Sequence, residues 1–109
     1  MKRFVRAVDL VTDEDGIAAY DKYHREVWPS VKASLYESGI KAMSIYRFAN
    51  RLVMILDAND DFTFERKLQM DEANEDVVRW ETIMRNYQRA IPGSEGQLWV
   101  PMEEVFRLD

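Results

Sequence analysis

A chain of 109 residues has room for one domain built round one modest core. Its hydrophobic content of 47%, with 12% aromatics, is enough apolar surface to fold, which excludes a disordered chain. A net charge of -5 argues against a basic nucleic-acid footprint, and the lack of cysteine removes disulfides, zinc–thiolate sites and cysteine nucleophiles.

Residues 2–10 alternate Phe4, Arg6, Val8 and Leu10 against Arg3, Val5, Ala7 and Asp9, the period of a strand with both faces partly covered. Arg6 falls in the apolar series, so a charge is expected on a covered face. Thr12, Asp13, Glu14 and Asp15 supply a cap and early acids for a helix running to about Val27. Pro29 cannot continue that helix without losing a backbone donor, and it drives Trp28 towards an extended conformation. A second helical piece is expected over 29–37, stopped at Ser38 and Gly39. Ile17, Tyr20, His24, Trp28, Val31 and Leu35 follow steps of three and four, which puts the only histidine on the inward stripe.

Residues 41–48 and 51–58 read as two strands joined by a tight hairpin at Ala49 and Asn50. The second is apolar on both faces, as in a central or covered strand. Asn59, Asp60 and Asp61 read as a turn and cap. A helical pattern follows from Phe62 to about Ala90, divided near 72–75, with Val77, Trp80, Met84 and Tyr87 as its inward stripe. After a loop over 91–96, residues 98–108 are expected to form a strand with Met102, Glu104, Phe106 and Leu108 on one face. Glu104 would then be a carboxylate in an apolar series, either a site residue or the partner of a cation such as Arg6.

The order predicts a single α+β domain over 1–109: a ferredoxin-like βαββαβ antiparallel sheet with helices on one face. Its other face would carry Val53 and Ile55, and so much exposed apolar surface implies a second copy of the chain as partner. The N-terminus lacks the apolar run of a signal peptide, and no stretch approaches the ~20 apolar residues of a membrane span. A cytoplasmic protein with neither nucleic-acid nor membrane partners is expected.

The chemical inventory is one imidazole, several tyrosines, inward tryptophans and one or two carboxylates. It has no phosphate loop, nucleophile elbow or metal cluster. A histidine beside a tyrosine on one helical face can move a proton near neutral pH. Interconversion of sugar anomers needs only an acid and a base. The same inventory also serves a cofactorless monooxygenase, a haem-binding dimer or a non-enzymatic ligand-binding dimer.

Tyr20-x-x-x-His24 with Val27, Trp28 and Pro29, then Ser38-Gly39, Ile45-Tyr46, Arg79-Trp80, Met84, Pro92 and Glu104-Val105-Phe106, resembles the L-rhamnose mutarotase family over essentially the whole chain. The resemblance implies a cofactor-free dimer acting on the pyranose anomers of 6-deoxy-L-sugars. It implies His24 as proton donor, Tyr20 as a sugar contact and Trp80 as a pocket wall. Glu104, from its place in the apolar series, is a further candidate for a sugar ligand or second acid/base. Two substrate-binding positions depart: Met43 stands where the family has a tyrosine, and Glu81 where it has a second tryptophan. Residues 45–54, 60–67 and 80–84 are more similar to the L-fucose mutarotase branch. L-fucose is therefore the expected substrate ahead of L-rhamnose, with Glu81 accepting from a hydroxyl.

Overall fold

The computed structural model describes residues 1–109. β1 (Lys2–Leu10) lies between two neighbours: β3 (Arg51–Ala58) pairs antiparallel along its whole length, and β2 (Ile40–Phe48) pairs in turn with β3. The other edge of β1 is shared by β4 (Gln88–Arg89), opposite Asp9 and Leu10, and β5 (Val100–Pro101), opposite Arg6 and Ala7. The resulting order, β2-β3-β1-β4, is the ferredoxin-like antiparallel sheet expected from the sequence. Each helical crossover is split in two: α1 (Glu14–Arg25) and α2 (Pro29–Glu37), then α3 (Phe64–Glu72) and α4 (Glu75–Arg85).

Local chemistry sets these boundaries. The Asp13 side chain accepts from the Gly16 N–H at 2.9 Å and starts α1. Trp28 is extended (φ -57°, ψ 135°), as the following proline requires, and Pro29 opens α2 where no N–H is needed. Thr63 caps α3 through the Arg66 N–H, and Asn74 caps α4 through the N–H groups of Asp76 and Val77. The Asn59–Asp61 segment is the turn alone, so the cap falls four residues later than Asn59.

The helix-facing side of the sheet presents Phe4, Arg6, Val8 and Leu10 from β1, opposite Leu56, Met54 and Leu52 of β3. Two apolar clusters form over it. One gathers Val8, Leu10 and Leu52 under Tyr20, Val31, Trp80 and Met84. The other gathers Ile40, Leu56, Ala58 and Phe62, with Phe4, Met43 and Phe64 packed against them. Each fully buried leucine here contributes about 1.5–3 kcal/mol. The opposite face carries Val5, Val53 and Ile55 half-buried, and Tyr46 and Phe48 exposed at 63% and 88%.

Two expectations are corrected. The last helix does not run to Ala90: it ends at Arg85, and Gln88–Arg89 is a strand. Tyr87 keeps the helical spacing only because it too turns inward to the first cluster, while its carbonyl accepts from the Val11 N–H at 2.8 Å. The C-terminal strand is also shorter than 98–108. Val100 and Pro101 pair with β1, the Met102 N–H reaches the Val5 carbonyl at 2.9 Å, and residues 102–109 continue exposed without regular structure. No surface of this chain lies over the Met102, Glu104, Phe106 and Leu108 series, so its alternation has nothing to pack on.

Candidate active site

α1 sets the site because positions four apart on a helix stack above one another. Tyr20 is buried in the first cluster, and its ring stacks on the His24 imidazole with centroids 4.3 Å apart and planes 26° apart. Trp80 comes from α4 to meet the imidazole edge-on at 5.5 Å. Trp28 in turn meets Trp80 at 5.2 Å, and Tyr23 meets it at 6.0 Å. The helix is pinned to the sheet by Asp21, which takes both Arg47 Nε and Nη2 at 3.0 and 2.6 Å, at the β2 end of the hairpin.

The imidazole has one defined tautomer. His24 Nδ1 lies 3.0 Å from the Tyr20 carbonyl oxygen. A carbonyl can only accept, so Nδ1 carries the hydrogen and donates it, which leaves Nε2 with a free lone pair. Burial lowers the His24 pKa, against smaller raising effects from that carbonyl and from Asp21. The ring is accordingly neutral near pH 7, a base held at a fixed angle. Burial pushes the Tyr20 phenol up to about 12, the Gln88 side chain at its hydroxyl pulls it back, and the charges of Glu81 and Asp21 add to the rise. Tyr20 keeps its proton throughout the physiological range.

Glu81 follows Trp80 on α4 and is half-buried with no hydrogen-bond partner in the protein. Loss of solvent raises its pKa; Lys67 and Arg85 lower it, and Asp71 raises it further. Lys67 is already engaged, since its Nζ sits 2.5 Å from Asp71 Oδ2 one turn along α3, with both side chains only 18% exposed. Glu81 is thus a carboxyl that holds its proton more firmly than usual and has no ion-pair partner of its own.

The structure brings together Tyr20, His24 and Trp80, with Glu81 near enough for its charge to act on Tyr20. It does not bring in the other two candidates. Met43 packs in the second cluster beside Leu56, while Ile45, two residues on, is the β2 side chain that packs against the first. Glu104 is on the exposed tail, where Arg107 holds it through two contacts of 2.6 and 2.8 Å and keeps its pKa below the ordinary range. The cation that pairs with Glu104 is therefore Arg107 and not Arg6. Tyr46 points to the helix-free face. Sequence reasoning missed Tyr23, three residues after Tyr20 and close enough in spacing to share the stripe. It also missed Gln88, hidden inside an over-extended helix.

An antiparallel sheet with helices on one face and a neutral, tautomer-fixed imidazole among aromatic walls defines a ferredoxin-like protein equipped for general acid/base work. The chain belongs to the L-rhamnose mutarotase family, whose model matches residues 3–108. It is a sugar mutarotase, an isomerase acting on carbohydrates. It is 37% identical to the L-fucose mutarotase of Xanthomonas campestris pv. campestris, over 99% of this chain and 89% of that protein. It is also 30% identical to the L-rhamnose mutarotase of Phocaeicola vulgatus, over 83% of this chain and 84% of that one. In fold it matches the crystal structure of an L-rhamnose mutarotase from Formosa agariphila at a TM-score of 0.73, with 23% identity and both chains covered completely.

Proposed function

We propose that the chain interconverts the α and β pyranose anomers of a 6-deoxy-L-hexose, L-fucose ahead of L-rhamnose, with His24 carrying the proton. The observation that supports this most directly is the imidazole itself, with Nδ1–H tied to the Tyr20 carbonyl and Nε2 free. In ring opening, Nε2 takes the proton of the anomeric hydroxyl. O1 becomes the aldehyde oxygen, the C1–O5 bond breaks, and its electron pair goes to O5. The Glu81 carboxyl gives O5 a proton, a role suited to a buried acid without a counter-cation. Rotation about C1–C2 exposes the other face of the aldehyde. Closure reverses both transfers and regenerates the starting protonation states. Tyr20 holds the imidazole plane, and Trp80 offers a wall to the apolar side of the sugar ring.

The preference for L-fucose is supported by the 37% identical relative of that name. Met43, packed in the second cluster beside Leu56, is left out of this contact set. Glu104 becomes a sugar ligand only when its tail is folded against a second copy of the chain, and the apolar helix-free face supports such a homodimer.

Saturation-transfer NMR of the anomeric signals tests this reading. The protein should raise L-fucose exchange well above the buffer rate, and His24→Ala should return it to that rate with the fold unchanged by circular dichroism. Near-normal exchange in His24→Ala would remove His24 from its role. No acceleration of either sugar by the wild type would remove the proposed substrates.

A further inference from the structure

Arg6 stands apart from the other arginines of β1, β2 and β3. Arg3 pairs with Asp57, Arg47 with Asp21 and Arg51 with Asp9. Arg6 is on the helix-facing side, half-buried, and forms neither an ion pair nor a hydrogen bond. Its guanidinium lies 3.6 Å from the centre of the Phe64 ring at the start of α3. The one influence on its basicity is loss of solvent, so no carboxylate of the chain bears on it. Covered charges are ordinarily partnered, and a guanidinium stacked by its face keeps its N–H edges free to donate.

Its position on β1 lies between the two apolar clusters. Val8, two residues along β1, belongs to the cluster of Tyr20 and Trp80; Phe4, two residues the other way, packs with Leu56, Phe62 and Phe64. Two strand residues span about 7 Å, comparable to a pyranose with its hydroxyls. In the proposed pose, a sugar with its anomeric carbon at His24 lies over Val8 and turns the opposite side of its ring towards Arg6.

We infer that Arg6 is a specificity-determining residue that donates in parallel to the two oxygens of a vicinal cis-diol remote from the anomeric carbon. The planar fork of a guanidinium matches two adjacent acceptors as it matches a carboxylate. In L-fucose the cis-diol is O3 and O4, away from C1; in L-rhamnose it is O2 and O3, beside C1. Arg6 thus favours the first sugar through a contact that the second cannot make in the same pose. This inference rests on the anomer-exchange reading given above and adds to it the feature of the sugar that is recognised.

The test measures exchange kinetics of L-fucose, 4-deoxy-L-fucose and L-rhamnose with the wild type, Arg6→Lys and Arg6→Met. Methionine keeps a side chain that packs on Phe64. Arg6→Met should raise the KM for L-fucose about ten- to hundredfold, with Arg6→Lys intermediate. The wild type should show a similar loss on 4-deoxy-L-fucose, and Arg6→Met should add little to it. L-rhamnose should lose least. A purely structural Arg6 would lower all three sugars equally in the variants, and that outcome overturns the inference. So does a wild type that handles L-fucose and 4-deoxy-L-fucose alike, a result independent of whether a variant folds. If the wild type accelerates L-fucose while Arg6→Met is unchanged, only the role of Arg6 falls. If the wild type accelerates neither natural sugar, the substrate reading falls and Arg6 with it.

Discussion

Burial moves two groups in opposite directions, as the proposed pair of proton transfers requires. Desolvation disfavours the charged form of each, which keeps the His24 imidazole neutral to lower pH, and the Glu81 carboxyl protonated to higher pH, than either would be in water. In the proposed mechanism the productive state exists above the lowered His24 pKa and below the raised Glu81 pKa. kcat/KM should follow a bell whose two limbs belong to this pair. Glu81→Gln should leave a single limb, rising with pH as His24 loses its proton and then flat, and should lower kcat by about a hundredfold. An alkaline limb that survives in Glu81→Gln would show that the ring-oxygen proton comes from elsewhere. His24 and Tyr20 were legible in the sequence because a helix places i and i+4 together whatever lies around them. The tautomer was not, because it depends on where the imidazole turns relative to a backbone carbonyl.

Short-range signals at the element boundaries explain which parts of the fold could be read. Pro29 divides α1 from α2, and Gly39 ends α2, because each acts through its own backbone geometry. Gly39 has φ +100°, its N–H reaches the Tyr36 carbonyl at 3.0 Å, and its carbonyl accepts from Asn59 at 2.9 Å. An alanine there would have room for its methyl group but not the backbone conformation. Gly39→Ala should destabilise by about 1–2 kcal/mol in urea unfolding with an unchanged m-value. A loss within error of zero would show that the turn relaxes freely. Pairing over long separations was harder to read. β4 is two residues long and owes its existence to Asp9 and Leu10, nearly eighty positions earlier, while Tyr87 continues the helical spacing and conceals the change. The tail failed differently: its alternation was real, but nothing in the chain covers it.

That uncovered tail and the helix-free sheet face raise the same question for the whole molecule. Phe48 is 88% exposed, Val105 92% and Leu108 89%, beside exposed Tyr46 and Phe106 and half-buried Val53 and Ile55. Apolar surface on this scale, on one face of a small sheet and along a tail, is unfavourable in water and favours self-association. A two-fold arrangement of sheet on sheet would cover Val53 and Ile55 of both copies with each other. It would also let each tail cross onto its neighbour, giving the Met102, Glu104, Phe106 and Leu108 alternation a surface to pack against. At micromolar concentration the protein should sediment at twice its chain mass of 12.9 kDa. Val53→Lys with Ile55→Lys should shift it to the single-chain mass, since each dimer would bring four like charges together at the covered face. Removal of residues 103–109 should weaken the dimer and, where Glu104 reaches the neighbouring site, raise KM in proportion. Glu104→Gln in the full-length chain separates the two effects, because it should raise KM and leave the sedimentation unchanged. A wild type that sediments as a single chain would refute the dimer and leave Glu104 where the isolated fold has it, paired with Arg107 in water.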